Sequence, residues 1–439
     1  MKNSTLLKLL LVFVIAVFSF TTVFIQLSKQ PKKNGQTVSF IVEHFFEPTE
    51  EPQSDIPDPS EDFLTAKENL PIDDGFDLPA ENFDTDLWLD KIESFREKIE
   101  KAANEKGNDN VNNNNDNDND NNNNDNAAAP SPATKHTNSV IIDTDFASDA
   151  DDVVAIRLAL CLHDMGMLDI RGIALSTTYS RSPLAIHALC YQDGHGDIPV
   201  AMDTSGDGIQ VHTDYVDAMY EMQKSRSDFE QPVQMYRRIL SESDTKVSII
   251  TLGFLQNIQA LMNSQPDRYS SLTGAELIAA KVDTIYIVGG NSTGKPSFNF
   301  YWTGDKVINA ARDVADHFPT RTVFLQSDLS DDTFCGQFYQ TRDSNRQDIV
   351  TKALYANDQY GGVVAWDVFS VWCAAQDMND NLEASYLELE QGNQYISPTG
   401  ATQWTATDDG KHYKMYKRMQ GSYYSEIMNN MLLDKFNSR

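Results

Sequence analysis

The sequence has few basic residues and few cysteines. Its 439 residues include 35 lysines and arginines against 65 aspartates and glutamates, so the formal net charge is −30. A nucleic-acid-binding function is disfavoured, because neutralising phosphates requires a basic surface. The four cysteines, Cys161, Cys190, Cys335 and Cys373, are too few for a disulfide scaffold and lack the CxxC spacing of structural zinc sites. We expect them to be small buried residues.

A long uncharged run lies near the N-terminus. Residues 9–25 carry no charge and consist mostly of leucine, valine, isoleucine and phenylalanine. A run of this length exceeds the usual core of a signal peptide and reaches the lower limit for a transmembrane helix. We therefore expect residues 1–35 to be a signal anchor or a cleaved signal peptide. In either case the protein is predicted to enter the secretory pathway and to be secreted or anchored by a single membrane pass.

The following hundred residues are acidic and of low complexity. Residues 36–138 contain 25 acidic and 7 basic residues and include a long tract of asparagine and aspartate. Such a composition buries too little apolar area to fold. We predict a disordered linker over residues 36–138, with a short amphipathic helix over residues 86–103 as a possible exception.

From Ser139 onward the sequence has the pattern of a folded domain. Short β-branched runs such as SVIID and KVSIITLG alternate with helical patterns. This alternation predicts an α/β domain over residues 139–439, with a mainly parallel, doubly wound (Rossmann-like) sheet and helices on both faces. After Tyr386, short strand-like runs alternate with turn residues, which indicates a small antiparallel C-terminal addition.

Five aspartates crowd into the segment DTDFASDADD, residues 143–152. The segment ends the first predicted strand and opens the first helix, where open parallel sheets bind ligands. Helix capping accounts for one or two of these acids. Each remaining like-charge pair costs about 1 kcal/mol in water and about 4 kcal/mol in a half-buried site. A divalent cation removes that penalty, and all-oxygen ligands suit Ca²⁺ or Mg²⁺.

Two other acidic motifs fit this segment less well. An EF-hand loop starting at Asp143 needs glycine at its sixth position and glutamate at its twelfth, where this sequence has Ser148 and Val154. A phosphotransferase of the haloacid-dehalogenase type also begins with Asp-x-Asp after a strand, but it leaves three of the five aspartates without a role. We therefore favour the metal site.

The segment resembles the DxDxGxDD motif of the nucleoside hydrolases (inosine-uridine nucleoside N-ribohydrolases), in the variant DxDxGxDxDD with a two-residue insertion. Four further segments resemble that family's motifs and follow in the family's order. These are LGFLQN (252–257), IVGGN (287–291), FNF (298–300) and AWD (365–367). The resemblance runs through nearly all of residues 139–439.

The resemblance implies the roles of individual residues. It implies that Ca²⁺ is held by Asp145, Asp152, Asp367 and the backbone carbonyl of Leu252, and that Asp145 is also the catalytic residue that deprotonates the attacking water. It further implies a substrate-binding set that contacts the ribose: Asp151, Asn299 and Asn291. The expected substrate is a small-molecule nucleoside or riboside, and the sequence leaves a homo-oligomer open.

Several positions depart from the family pattern. Phe146 and Ala147 replace its proline and glycine, and Ser297 replaces a glutamate. Trp366 stands where purine-processing members have histidine, and an early asparagine is missing near Thr177. A tryptophan can stack on a nucleobase but cannot protonate it, so Trp366 is predicted to bind the substrate.

Two functions therefore remain in competition. The first is hydrolysis of the N-glycosidic bond of a ribonucleoside by a Ca²⁺-activated water. The alternative is a Ca²⁺-dependent ribosyl- or sugar-binding protein without turnover. His212, in the loop after DIPVAM, is a further candidate to contact the leaving group, whereas His187 lies on an apolar helix face typical of a core residue.

Overall fold

The short apolar runs of the sequence form the strands of one large sheet. The computed structural model describes residues 137–205, 208–222, 229–340, 348–359 and 361–437. Its strands are β1 (Ser139–Thr144), β2 (Asp169–Leu175), β3 (Val200–Met202), β4 (Val247–Thr251), β5 (Val282–Val288), β6 (Arg321–Leu325), β7 (Phe334–Cys335), β8 (Val363–Val364), β9 (Leu387–Ile396), β10 (Thr402–Ala406) and β11 (His412–Lys417).

Nine of these strands form a mixed sheet in the order β10-β9-β11-β6-β5-β4-β1-β2-β3. From β3 to β11 every neighbouring pair is parallel, whereas β9 pairs antiparallel with both β10 and β11. β7 and β8 form a separate two-stranded antiparallel sheet. The predicted α/β fold, a mainly parallel sheet with a small antiparallel C-terminal addition, is therefore confirmed.

Helices connect the strands and cover the sheet. They are α1 (Asp151–Asp164), α2 (Ser182–Gln192), α3 (Asp214–Tyr220), α4 (Pro232–Glu242), α5 (Gln256–Met262), α6 (Gly274–Lys281), α7 (Phe298–Tyr301), α8 (Asp305–His317), α9 (Ile349–Ala356), α10 (Trp366–Met378) and α11 (Gly421–Asn437). Two short 3₁₀ segments, Ser327–Leu329 and Gln337–Gln340, complete the connections.

The core lies on both faces of the sheet. On one face, helices α4, α5, α6 and α8 pack with the central strands in a single hydrophobic cluster. Helices α1 and α10 pack against each other, and nearly every residue of both is buried. Strands β1 and β4 are buried throughout, as is typical of parallel strands covered on both sides. The four cysteines are buried, as expected.

The predicted localisation is contradicted. Within the part of the chain that the structure describes, no helix is long and apolar enough to cross a membrane, so the prediction of a single-pass membrane anchor is wrong on this finding. The apolar run over residues 9–25, on which the prediction rested, lies outside the described residues, as do the predicted linker over 36–138, apart from its last two residues, and the helix over 86–103.

The buried His412 of β11 gives the fold a testable pH dependence. Its Nδ1 accepts a hydrogen bond from the backbone N–H of Gln394 at 3.0 Å, and its Nε2 lies 2.9 Å from the carbonyl oxygen of Ala315. Burial lowers the pKa of His412 from 6.5 to about 4. Between about pH 6.5 and pH 4, His412 is therefore protonated in the unfolded chain and neutral in the folded protein. Because protonation favours the unfolded chain, the free energy of unfolding decreases as the pH falls from about 6.5 to about 4.

Between pH 7 and pH 4, we expect the free energy of unfolding to decrease less in the His412→Gln variant than in the wild type. The expected difference is on the order of 3 kcal/mol. The measurement is the free energy of unfolding in urea, compared between variant and wild type so that carboxylates titrating in both proteins cancel. His317→Gln is the control, because the His317 side chain is 68% exposed. A slope that is the same in all three proteins contradicts the assignment.

Candidate metal centre

The fold brings three predicted ligands together at the carboxyl edge of the sheet. Asp145 follows β1, Asp152 lies in the first turn of α1, and Asp367 lies in the first turn of α10. One carboxylate oxygen from each residue lies within 4.8 Å of the others, and all three residues are buried. The chain therefore folds so that distant acidic residues converge on a space of the size of one ion.

Local hydrogen bonds shape the turn that carries Asp145. The Ser148 N–H donates to the carbonyl of Asp145 at 3.1 Å, and the hydroxyl of Thr144 donates to the carboxylate of Asp152. Gly253, directly after Leu252, packs against this turn. A Cβ atom at residue 253 would lie 2.4 Å from the Cβ of Asp145, so only glycine allows this approach.

Burial and mutual repulsion make the cluster electrostatically unfavourable when it holds no cation. Burial raises the pKa of Asp145 to about 7. The pKa values of Asp151, Asp152 and Asp367 also lie well above their usual range, first because of burial and second because of the neighbouring carboxylates. A divalent cation offsets both causes, and the all-oxygen donor set fits a hard cation. The buried aspartate cluster could therefore hold a metal ion.

Leu252 and Asn299 meet beside this cluster. The side-chain amide of Asn299 donates to the carbonyl of Leu252 at 2.7 Å and to the carbonyl of Val288 at 3.1 Å. Both amide hydrogens are thereby engaged, and among the described residues no donor faces the Oδ1 of Asn299. Asn299 thus joins the ends of β4 and β5 and keeps one acceptor oxygen for another group.

The other predicted sugar-binding residues differ in their surroundings. The carboxylate of Asp151 accepts a hydrogen bond from the backbone N–H of Asp367 at 3.1 Å, which links α1 to α10. Asn291 instead bonds with its neighbours: its Nδ2 donates to the hydroxyl of Ser327 at 3.3 Å and its Oδ1 accepts from Thr293 N–H at 2.8 Å. Asp151 therefore lies beside the group of three aspartates, whereas the Asn291 side chain is held by a local turn.

Asp143, the first aspartate of the segment, lies outside the group of three. Its carboxylate accepts hydrogen bonds from the hydroxyl of Tyr236 at 2.8 Å and the amide of Asn257 at 3.0 Å. Burial raises its pKa to about 7. These bonds join β1 to helices α4 and α5, so the structure gives Asp143 a supporting position beneath the site.

Trp366 and the two histidines are also located. The indole N–H of Trp366 donates to Asp331 at 3.0 Å, and this use of its one donor was not foreseen from the sequence. The Nε2 of His212 lies 3.4 Å from Asp217, and its side chain is half exposed. His187 is partly buried on α2, with its Nε2 3.2 Å from the carbonyl of Gly196.

Two contacts to the aspartate segment and one to Trp366 were missed by sequence reasoning. Tyr215 and Gln359 bond to the turn between β1 and α1, and Asp331 bonds to Trp366. Their partners lie tens to hundreds of residues away in the chain. No local spacing pattern signals such pairs, because they depend on how loops meet in the folded domain.

The fold is similar to that of several solved structures. The inosine-uridine preferring nucleoside hydrolase from Bacillus anthracis matches 67% of this chain and 99% of its own, at 14% identity and a TM-score of 0.50. A plant nucleoside hydrolase matches 67% of this chain and 98% of its own, at 17% identity and a TM-score of 0.51. The effector protein XOO4466 matches 68% and 93%, at 12% identity and a TM-score of 0.50.

Comparison of the sequence with protein families and curated proteins gives no match beyond the short motifs noted above. No protein-family model matches it, and no curated protein is significantly similar to it. The similarity to the solved structures thus concerns the arrangement of strands and helices. The described domain has the α/β fold of the nucleoside hydrolases.

Proposed function

We propose that the domain over residues 139–439 is a Ca²⁺-dependent hydrolase of the nucleoside hydrolase family that cleaves the N-glycosidic bond of a ribonucleoside. The observation that carries the proposal is the convergence of Asp145, Asp152 and Asp367 within 4.8 Å. The fold shared with nucleoside hydrolases supports it.

We assign the metal to those three carboxylates and to the carbonyl of Leu252. Ca²⁺ accepts six to eight oxygen ligands, so four protein ligands leave room for water and for two hydroxyls of a ribose. When bound, Ca²⁺ supplies positive charge that orients and acidifies the attacking water.

Residues of the protein then accept the proton of the water and bind the sugar. Asp145 accepts the proton of the attacking water, a role open to a carboxylate that lies beside the proposed ion. Asp151 and the Oδ1 of Asn299 accept hydrogen bonds from ribose hydroxyls. As the C–N bond breaks, positive charge develops on the sugar, and the buried carboxylates stabilise it.

Few residues are available to assist the departure of the base. Water adds its oxygen to the anomeric carbon, one proton passes to Asp145, and the base leaves with the bonding electron pair. The base must then gain a proton. Trp366 cannot supply it, because its N–H is not acidic and already donates to Asp331. We assign Trp366 to stacking on the base.

The proposal is tested by release of reducing sugar from a panel of purine and pyrimidine nucleosides, with and without EDTA. We expect release that EDTA abolishes and that added Ca²⁺ restores. Release unaffected by EDTA contradicts the metal assignment.

The second candidate is a Ca²⁺-dependent ribosyl- or sugar-binding protein without turnover. The engaged indole of Trp366 favours it, since the position next to Asp367 then lacks a proton donor. No sugar release together with Ca²⁺-dependent binding of ribose, measured by calorimetry, supports this candidate. Failure of both release and binding contradicts both functions.

A further inference from the structure

The turn between β1 and α1 contains a strained residue. Ala147 has a φ of +94° and is fully buried. An L-amino acid rarely adopts this conformation, because its Cβ is crowded by the backbone, whereas glycine adopts it freely. The turn lies between Asp145 and Asp152, so its conformation sets the separation of two of the three clustered carboxylates.

One buried side chain from a distant helix contacts both ends of this strained region. The hydroxyl of Tyr215, on α3, accepts a hydrogen bond from the Ala147 N–H at 2.6 Å and donates one to the carbonyl of Asp149 at 2.9 Å. Its ring packs edge-to-face on Phe146, with centroids 5.3 Å apart. Tyr215 is completely buried, and its bond to the Ala147 N–H is shielded from bulk water.

The hydroxyl of Tyr215 is chemically suited to this double role. Burial, together with the nearby Asp152, holds the pKa of Tyr215 well above its usual value. The neutral hydroxyl keeps its proton for the carbonyl of Asp149 and offers a lone pair to the Ala147 N–H. Without it, the buried Ala147 N–H and the carbonyl of Asp149 lose this partner, and the strained turn is free to relax.

We propose that Tyr215 is a positioning residue that clamps Ala147 in its left-handed conformation and thereby fixes Asp145 and Asp152 for metal binding. The proposal rests on the metal site of the proposed function. In this chain the hydrogen bonds of Tyr215 hold residue 147 in a conformation that a glycine would adopt without them. Tyr215 therefore matters most because residue 147 is alanine.

The test is a double-mutant cycle on Ca²⁺ affinity, measured by calorimetric titration of the full-length protein. We expect Tyr215→Phe to weaken binding by about 10–100-fold, the range typical of residues that orient metal ligands. In the Ala147→Gly background the same substitution is expected to weaken binding by less than about threefold, because glycine needs no clamp.

Tyr424→Phe is the matched control. Tyr424 is equally buried, and its hydroxyl donates to a backbone carbonyl, that of Tyr386, at 2.8 Å. We expect this variant to keep the wild-type Ca²⁺ affinity even if it loses stability. Unchanged affinity in Tyr215→Phe, or an equal loss with alanine and with glycine at residue 147, overturns the clamp.

A second measurement separates the clamp from the metal site itself. Amide hydrogen exchange in the metal-free proteins should accelerate across residues 146–149 in Tyr215→Phe but not in Tyr424→Phe. If the wild-type protein binds no Ca²⁺, the proposed function is wrong, and the hydrogen-exchange measurement alone tests the clamp. Faster exchange then supports it, and unchanged exchange overturns it.

Discussion

Replacing Asp152 or Asp367 by alanine is expected to abolish Ca²⁺ binding. Each substitution removes one of three carboxylates that lie within 4.8 Å of one another. The loss of affinity should exceed the roughly 10–100-fold caused by changes to outer partners of a metal site. The measurement is calorimetric titration of Ca²⁺ into the metal-free proteins, with Asp367→Asn as a variant that preserves side-chain volume.

The same substitutions should not destabilise the metal-free protein. Burial and neighbouring carboxylates raise the pKa of both residues, so removing either one relieves an unfavourable burial. Asp149→Asn is the matched control. Asp149 belongs to the same segment, but its carboxylate faces Gln359 at 2.8 Å and lies outside the group of three. Unchanged Ca²⁺ affinity in both the Asp152 and the Asp367 variants would falsify the metal assignment.

A riboside with an activated leaving group should be cleaved far faster than a natural nucleoside. Nitrophenolate departs without protonation, whereas the base of inosine needs a proton that Trp366 cannot give. General-acid catalysis contributes about 10²–10⁴-fold, so we expect kcat/KM for nitrophenyl riboside to exceed that for inosine by this factor. Parallel assays under saturating Ca²⁺ provide the measurement.

Asp145→Asn supplies the internal check on this comparison. The amide cannot accept a proton from the attacking water, so hydrolysis of both substrates should disappear. Equal rates on the two substrates in wild type would instead reveal a proton donor near the base. The variants His212→Gln and Asp331→Asn would then show which residue is that donor. His212 is half exposed beside Asp217, and Asp331 contacts Trp366.

The sequence predicts the central parallel strands β1, β4 and β5 well, because each is a short apolar run of the kind that forms a buried parallel strand. KVSIITLG contains β4 (Val247–Thr251), and every residue of that strand is buried. Helix α10 shows the opposite case. Twelve of its thirteen residues are buried, so it lacks the alternation of apolar and polar faces by which a helix is detected in sequence. No helix was predicted there.

The candidate site also has one part that the sequence predicts and another that it does not. The density of aspartates in residues 143–152 is a local signal, and it indicates a cation by charge repulsion alone. Asp367 bonds through its backbone to Asp151, 216 residues earlier, and only resemblance to a family pointed to it. The bond from Asn299 to Leu252 and the clamp by Tyr215 depend on packing between loops, for which the sequence has no periodic signal.

The position of β11 in the sheet has a consequence for folding during synthesis. Among the described residues, β9 pairs with β10 and β11, and the hairpin of β9 and β10 reaches the parallel strands only through the pairing of β11 with β6. The ribosome therefore releases the hairpin before the strand that joins it to the sheet. Until residues 412–417 emerge, β6 is an open edge on which a nascent chain can aggregate. A premature stop codon before His412 would leave that edge exposed permanently, so such transcripts should produce insoluble protein rather than a shortened but folded domain.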